Sequence, residues 1–148
     1  MLHTDHEGTV MQYTVEARLV RRGLARTACR AASIEFDTSA GQSAALMGPA
    51  DLLATAFAAC VLKNVERFSR LLPFTYHTAS IHVTLERQDH PPRITSVQYV
   101  LRLVTPESPH RVDLLQRNLS TYGTIYNTLA ATCPVTGSII AELPDTRP

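Results

Sequence analysis

The feature that most constrains this chain is an apolar stretch at residues 52–62, in which every residue except Thr55 is apolar or small. Alanine and leucine dominate it and neither glycine nor proline interrupts it, which is a helix-forming composition. Pro49 suits the first helical position, and Asp51 places a negative charge at the positive end of the helix dipole. A helix that is apolar on all sides must be buried. The sequence therefore predicts a buried central helix that carries Cys60.

This predicted helix is too short in its apolar part to cross a bilayer, which takes about 20 apolar residues. Beyond Lys63 the apolar residues thin to Val65, Phe68 and Leu71, with charged residues between them. The helix is therefore expected to become amphipathic toward its end. We expect it to belong to a soluble domain that has no membrane partner.

Length, charge and cysteine count narrow the class of protein. The 148 residues fit one domain, expected over residues 1–148, and the net charge of +1 gives no electrostatic case for nucleic acid or an anionic membrane. The polar residues 1–7 contain no secretory signal, and an odd count of three cysteines without one indicates a reducing cytoplasm. No Cys-x-x-Cys or His-x-x-x-His spacing occurs. We therefore expect neither a metal nor a cofactor.

Period-two alternation predicts strands on both sides of the helix. Residues 13–19 alternate as a half-buried strand, Arg21-Arg22-Gly23 forms a turn, and short strands can follow at about residues 26–31 and 33–37. Residues 38–47 are small and polar and indicate a loop into the helix. After the helix, residues 81–86 and 97–103 alternate around a turn at residues 88–92, which predicts a long antiparallel hairpin.

The last third of the chain predicts two helices and a strand. Ser108 is placed as an N-cap before Pro109, and Gly123 ends this helix. A shorter helix at residues 124–132 is broken by Cys133-Pro134, and a strand follows at residues 135–143. Three strands, a helix, two strands, two helices and a strand make an α+β fold. Since one short sheet cannot cover a helix that is apolar all round, we expect an obligate homodimer whose chains could interleave.

Three sequence motifs, together with the order of predicted helices and strands, resemble those of a known protein family over nearly the whole chain. They are the arginine/glycine turn after the first strand, the late Cys133-Pro134, and a helix start that leads to Ala58-Ala59-Cys60, namely Gly48-Pro49-Ala50-Asp51-Leu52-Leu53. Together they resemble the OsmC/Ohr family of osmotically inducible and organic hydroperoxide resistance proteins. The resemblance implies a β(3)-α-β(2)-α(2)-β fold and an intertwined homodimer with active sites at the subunit interface.

The same resemblance implies a function, a thiol-dependent peroxidase that reduces organic hydroperoxides in oxidative stress defence. Cys60 would be the peroxidatic thiolate and Cys133 the resolving thiol, and a dithiol reductant would recycle the pair. In peroxidase members a glutamate follows the helix-start proline, ten residues before the first cysteine, and holds the catalytic arginine. This chain has Ala50 there, and Asp51 is the nearest acid. The arginine corresponds to Arg22 or Arg21, so we expect Arg22 and Asp51 in catalysis and Arg21 near the substrate.

The missing glutamate leaves other interpretations open. One is a small-molecule binding protein of the same fold with weak or no peroxidase activity, and another is a structural dimer whose cysteines are incidental. Cys60 and Cys133 could each be a small buried residue, and Cys29 is expected to be structural. Asp51 could orient an arginine through a bidentate pair or only complement the helix dipole.

The chemistry itself sets one requirement. Peroxide reduction needs a thiolate and a positive group that stabilises the leaving alkoxide. Cys60 lies nearly three turns into the helix, beyond the reach of its dipole, so an arginine from elsewhere must supply that charge. Asn64 could donate a hydrogen bond near the thiol or lie on the helix surface. Phe57 and Val61 could be core residues or could also wall an apolar pocket for an alkyl hydroperoxide.

Overall fold

A computed structural model describes residue 8 and residues 10–147, so the N-terminal residues 1–7, where no secretory signal was found, lie outside it. The chain divides into two compact units, one that ends at Pro49 and one that begins at Ala50. Each unit contains a three-stranded sheet. The expectation of one domain over residues 1–148 stays a prediction.

The order of helices and strands is the predicted one and confirms the α+β class. The elements are β1 (Glu16–Arg21), β2 (Leu24–Cys29), β3 (Ala32–Asp37), α1 (Pro49–Leu71), β4 (Thr78–Asp89), β5 (Pro92–Val104), α2 (Pro109–Tyr122), α3 (Thr124–Ala130) and β6 (Val135–Glu142). The hairpin strands β4 and β5 extend beyond the predicted alternation at both ends. The helix α1 begins at Pro49 and ends at Leu71, as predicted.

The first unit is an antiparallel sheet in the order β1-β2-β3. The turn between β1 and β2 has Gly23 at φ 83, a conformation that favours glycine. Cross-strand register places apolar side chains together on one face, and these are Ala17, Leu19, Ala25, Ile34 and Phe36. On the opposite face Arg26 pairs with Glu35 at 2.6 Å.

The prediction that the first strand is half-buried is wrong for this chain. Every residue of β1 is exposed, and Leu19 and Ile34 are exposed to 69% and 49%. The strand predicted at residues 13–19 begins at Glu16 and ends at Arg21. Alternation identifies an apolar face of a strand but does not say what covers that face.

Buried Asp37 orders the loop that leads into α1. Its carboxylate accepts hydrogen bonds from the backbone N–H of Ser39 at 2.8 Å and of Ser43 at 3.2 Å, and its own N–H donates to the Met47 carbonyl at 2.9 Å. Hydrogen bonds from Ser39, and then from the Ser43 N–H, hold the pKa of Asp37 below its usual value. The small, polar loop predicted at residues 38–47 is therefore tied back to the end of β3.

Within one chain, the helix α1 is buried along one face and not on all sides. The buried residues are Phe57, Val61, Asn64, Val65 and Phe68, spaced at three or four along the helix. Thr55 and Ala59 are exposed, while the remaining apolar residues at positions 52–62 are half-buried. The predicted burial on all sides is therefore not seen, because this chain covers only part of the apolar circumference of α1.

The second unit has a sheet in the order β4-β5-β6, in which β4 and β5 are antiparallel and β5 and β6 are parallel. The central strand β5 contributes Val97, Tyr99, Leu101 and Leu103 to the core, each exposed by no more than 3%. That core also contains the buried apolar residues of α1 and Val112, Leu115 and Leu119 of α2. The connection through α2 and α3 allows β6 to lie parallel to β5. The N-cap prediction is confirmed, since the Ser108 hydroxyl accepts the Arg111 N–H.

Gly137 of β6 provides the closest packing in the second sheet. It lies beside Tyr99 in register, and a Cβ placed on Gly137 would be 2.1 Å from an atom of the Tyr99 ring. The ring is 3% exposed and its hydroxyl accepts a hydrogen bond from Gln116 Nε2 at 2.6 Å, so it has little freedom to move.

We therefore expect Gly137→Ala to lower the free energy of unfolding by about 1–3 kcal/mol, the usual cost of overpacking a core. Urea unfolding followed by circular dichroism measures the change. Gly41→Ala is the matched control, because nothing lies within 4 Å of a Cβ at Gly41, and it should change stability by less than about 0.5 kcal/mol. Equal stabilities of the two variants would contradict this account of the Tyr99 contact.

Candidate functional site

The Cys60 thiol lies where α1 meets the junction of α2 and α3. Gly123 forms this junction, and a Cβ placed on it would be 3.3 Å from Cys60 Sγ, 2.8 Å from Tyr126 Cβ and 3.0 Å from the Leu119 carbonyl oxygen. The absence of a side chain therefore lets the α2–α3 corner approach the sulfur closely. Cys60 itself is half-buried, so part of the residue remains accessible. The sequence identified Gly123 only as a helix end and gave no sign of this contact.

Asn64 lies one helical turn after Cys60 and donates two hydrogen bonds to it. Its side-chain nitrogen Nδ2 is 3.0 Å from the Cys60 carbonyl oxygen and 3.7 Å from Cys60 Sγ. The residue is only 8% exposed. The suggestion that Asn64 occupies the helix surface is therefore wrong, because Asn64 shares the buried face with Val61, Val65 and Phe68.

An aromatic cluster lies beside this site, one turn before Cys60 on α1. The Phe57 ring centroid is 5.6 Å from those of both Tyr99 and Tyr126, and the two tyrosine rings are 6.2 Å apart. Burial raises the pKa of Tyr99 to about 12, so its hydroxyl is neutral at physiological pH. Phe57 and Val61 are both fully buried core residues, and their predicted role as walls of a substrate pocket stays a prediction.

Cys133 follows α3 and belongs to the same hydrophobic core cluster as Phe57 and Tyr126. It is 9% exposed, its backbone N–H donates to the Leu129 carbonyl at 3.0 Å, and its thiol donates to the same oxygen at 3.6 Å. The short helix α3 therefore begins just after the glycine that contacts Cys60 and ends just before Cys133. All three cysteines are free thiols, and half-buried Cys29 is the last residue of β2, in the first unit.

The predicted charged residues of the site belong to two different units. Arg21 ends β1 and Arg22 forms the following turn, and both are exposed in the first unit. Asp51 lies in the first turn of α1 in the second unit, where it and its neighbour Ala50 are exposed. The structure brings Cys60 and Cys133 into one unit. The pairing of an arginine with Asp51 or Cys60 stays a prediction.

Two further features bear on the kind of site. Over residue 8 and residues 10–147, no helix is long and apolar enough to span a membrane. In the same part of the chain, no group of three or more His, Cys, Asp and Glu residues is arranged to hold a metal ion.

Comparison with solved structures finds proteins of the same fold at low sequence identity. An OsmC-like protein from Mycoplasma pneumoniae has a TM-score of 0.80 at 18% identity, over 93% of this chain and 100% of that one. The organic hydroperoxide resistance protein OhrB of Bacillus subtilis has a TM-score of 0.65 at 17% identity, over 88% of this chain and 98% of that one. An organic hydroperoxide resistance protein OsmC from Legionella pneumophila, also described as a predicted redox protein, has a TM-score of 0.67 at 14% identity, over 89% and 98%.

No curated protein sequence matches the chain. The sequence pattern of the family described as OsmC-like protein matches residues 41–138, which include α1, α2, α3 and both Cys60 and Cys133. This match spans more than half of the chain and agrees with the resemblance found in its motifs. The chain belongs to the OsmC-like protein family.

Proposed function

We propose that this protein is a thiol-dependent peroxidase that reduces organic hydroperoxides in the cytoplasm, with Cys60 as the peroxidatic and Cys133 as the resolving cysteine. The observation that carries the proposal is the arrangement around α3. The Cys60 sulfur lies beside the glycine before this helix, 3.3 Å from where a Cβ on Gly123 would be, and Cys133 follows the end of the helix within the core that surrounds α3. The hydroperoxide resistance proteins named above share the fold, and the proposal extends their named role to this chain.

The proposed reaction has three steps. The Cys60 thiolate attacks the terminal oxygen of the hydroperoxide, the O–O bond breaks, and the alkoxide takes a proton to leave as an alcohol. Cys60 is then a sulfenic acid, which the Cys133 thiolate attacks at sulfur, so that the S–O bond breaks, a disulfide forms, and the leaving hydroxide takes up the proton that the Cys133 thiol gave up and departs as water. An external dithiol reduces the disulfide by exchange and restores both thiols.

Several features of Cys133 and α3 support the second step. The helix α3 has seven residues and is therefore about 10 Å long, and it ends three residues before Cys133, so the thiol lies next to a helix end, where opening a turn disrupts few backbone hydrogen bonds. The thiol of Cys133 is held by a weak hydrogen bond to the Leu129 carbonyl, which opening of that turn would break. Cys133 also immediately precedes Pro134, where the helix cannot continue.

In this proposal Arg22 stabilises the Cys60 thiolate and the leaving alkoxide, Asp51 orients that arginine, and Arg21 contacts the substrate. Phe57 and Val61 contribute the apolar side of the site nearest the alkyl group. Arg22 is exposed at a turn and so is available for pairing. A long, flexible side chain needs a partner to be preorganised, and Asp51 is the acid nearest to the position of the missing glutamate.

We also propose that the protein is a homodimer. The apolar face of the β1-β2-β3 sheet is exposed at Leu19 and Ile34, and α1 is buried on one face only. A second copy of the chain could cover both surfaces, as the family resemblance implies. The exposed side chains on the sheet face are Ala17, Leu19 and Ile34, while Ala25 beside Leu19 is buried. An exposed apolar patch on a protein surface often marks an interaction site.

Treatment with one equivalent of cumene hydroperoxide should produce a disulfide between Cys60 and Cys133 and leave Cys29 reduced. Three tryptic peptides carry the three cysteines separately, because cleavage follows Arg26, Arg30, Lys63 and Arg117. Peptide mapping by mass spectrometry therefore assigns the bond. Cys60→Ser should abolish peroxide consumption, Cys133→Ser should stop it after one turnover, and Cys29→Ser is the matched control.

Absence of peroxide consumption by the unmodified protein, with folding intact, would favour the small-molecule binding protein over the enzyme. A disulfide that contains Cys29 would reject the assigned roles of the two other cysteines.

Ala50→Glu should restore the acid of the peroxidase members and raise the second-order rate with cumene hydroperoxide. We expect about a tenfold increase, equivalent to roughly 1.4 kcal/mol of transition-state stabilisation, because a second carboxylate would hold the arginine better. Asp51→Asn should lower the rate. Ala45→Glu is the control, since it adds the same charge at an exposed position of the preceding loop. If Ala50→Glu and Asp51→Asn both leave the rate unchanged, the start of α1 does not position the arginine.

Sedimentation equilibrium at micromolar concentration should give twice the mass of the chain. Ile34→Lys places a charge on the apolar face of the first sheet and should shift the protein toward monomer, because burying an unpaired charge is costly. Ser33→Lys is the matched control on the opposite face of the same strand. A monomeric mass for the unmodified protein would refute the proposed dimer.

A further inference from the structure

We infer that Asn64 is a positioning residue that holds the Cys60 sulfur and stabilises its thiolate form. The catalytic importance of this contact rests on the proposed function, but the contact itself acts on the ionisation of Cys60 and can be measured without any peroxide. No motif of the resemblance includes Asn64, so the inference comes from its contacts and burial.

The side-chain amide of Asn64 donates to two acceptor atoms of Cys60. Asn64 Nδ2 carries two hydrogens, and it lies 3.0 Å from the Cys60 carbonyl oxygen and 3.7 Å from Cys60 Sγ. The hydrogen bond to the Cys60 carbonyl oxygen uses one hydrogen of the amide and restricts the rotation of the side chain. The second hydrogen is then available to the sulfur. A thiol sulfur is a weak acceptor, whereas a thiolate accepts a charge-assisted bond. The contact therefore strengthens when Cys60 loses its proton, which favours the thiolate.

Burial makes this amide more than an ordinary surface side chain. Asn64 is 8% exposed and lies on the face of α1 that otherwise contributes Val61, Val65 and Phe68 to the core. A buried amide is unfavourable unless it is hydrogen-bonded. The carbonyl of Cys60 alone would also be satisfied by serine or threonine, which commonly bond the carbonyl four residues earlier. The longer asparagine side chain additionally reaches the sulfur.

Other titratable groups flank this corner and are common to all variants compared below. Lys63 and Arg67 extend from α1 and are exposed, and the Arg67 guanidinium lies 5.7 Å from the centroid of the Tyr122 ring at the end of α2. From α3 the neighbouring titratable residue is Tyr126, which is 8% exposed. A difference between two proteins that differ only at Asn64 therefore reports on the amide.

The test measures the rate of Cys60 alkylation by iodoacetamide as a function of pH in the full-length protein, since only the thiolate reacts appreciably. Mass spectrometry follows the tryptic peptide that spans residues 31–63 and contains Cys60 as its sole cysteine. Asn64→Leu removes the amide at similar volume, and Asn64→Ala removes it without adding bulk. We expect the pH midpoint of alkylation to move upward in both, with a rate at neutral pH reduced about threefold or more.

Thr121→Val is the matched control. The Thr121 hydroxyl also donates to a carbonyl four residues earlier, that of Arg117 at 2.8 Å, but the bond lies on α2 and involves no thiol. This variant should leave the alkylation profile of Cys60 unchanged. If either Asn64 variant folds and retains the original profile, Asn64 has a structural role only and the inference is wrong.

The outcomes separate this inference from the proposed function. An altered alkylation profile with no peroxide reduction by the unmodified protein would support Asn64 and reject the peroxidase. Peroxide reduction that depends on Cys60, together with an unaltered profile, would support the peroxidase and reject Asn64. A third variant, Asn64→Asp, should move the midpoint upward further than Asn64→Leu, because a carboxylate adds like-charge repulsion.

Discussion

The packing of α1 against the second sheet and the α2–α3 corner is the constraint on which the rest of the site depends. Phe57 of α1 packs against both Tyr99 of β5 and Tyr126 of α3, at 5.6 Å from each ring, and the two tyrosine rings also pack against each other. Tyr99 in turn lies against Gly137 of β6. These contacts therefore fix four secondary structure elements, α1, β5, α3 and β6, with respect to one another, and they set the position of Gly123 beside the Cys60 sulfur. A helix that is apolar all round could not define this orientation without such specific partners.

Local patterns in the sequence were sufficient for the elements of the fold. Alternation predicts the β4–β5 hairpin, and Ser108-Pro109 marks the start of α2 because the hydroxyl caps free backbone N–H groups. The parallel pairing of β6 with β5 was not predicted, since period-two alternation is the same in parallel and antiparallel strands. The exposure of β1 was also missed, because a strand pattern identifies an apolar face and not its partner.

The candidate site was predictable in its cysteines and much less so in their surroundings. Cys60 and Cys133 follow from the motifs, but the apolar stretch at residues 52–62 has no polar side from which to read which face meets the core. Only the amphipathic continuation through Val65 and Phe68 shows which face of α1 meets the core. Asn64 lies on that same face and is therefore buried. The contact with Gly123 joins residues far apart in sequence, and no local pattern encodes it.

The peroxidatic role proposed for Cys60 places two conflicting requirements on its surroundings. Its thiolate needs hydrogen-bond donors and shielding from water, but its sulfur must remain open to an incoming hydroperoxide. Asn64 donates to the sulfur from the edge of the core, where burial fixes the donor, and the missing side chain of Gly123 lets the α2–α3 corner approach and shield the sulfur. Cys60 as a whole is only half-buried. In the proposed peroxidase, the absence of the family glutamate at Ala50 would leave the activating arginine less firmly held, while the Asn64 donor on the helix itself remains in place. Under that proposal, activation of the thiol in this chain would depend more on Asn64 than it would in a member that retains the glutamate.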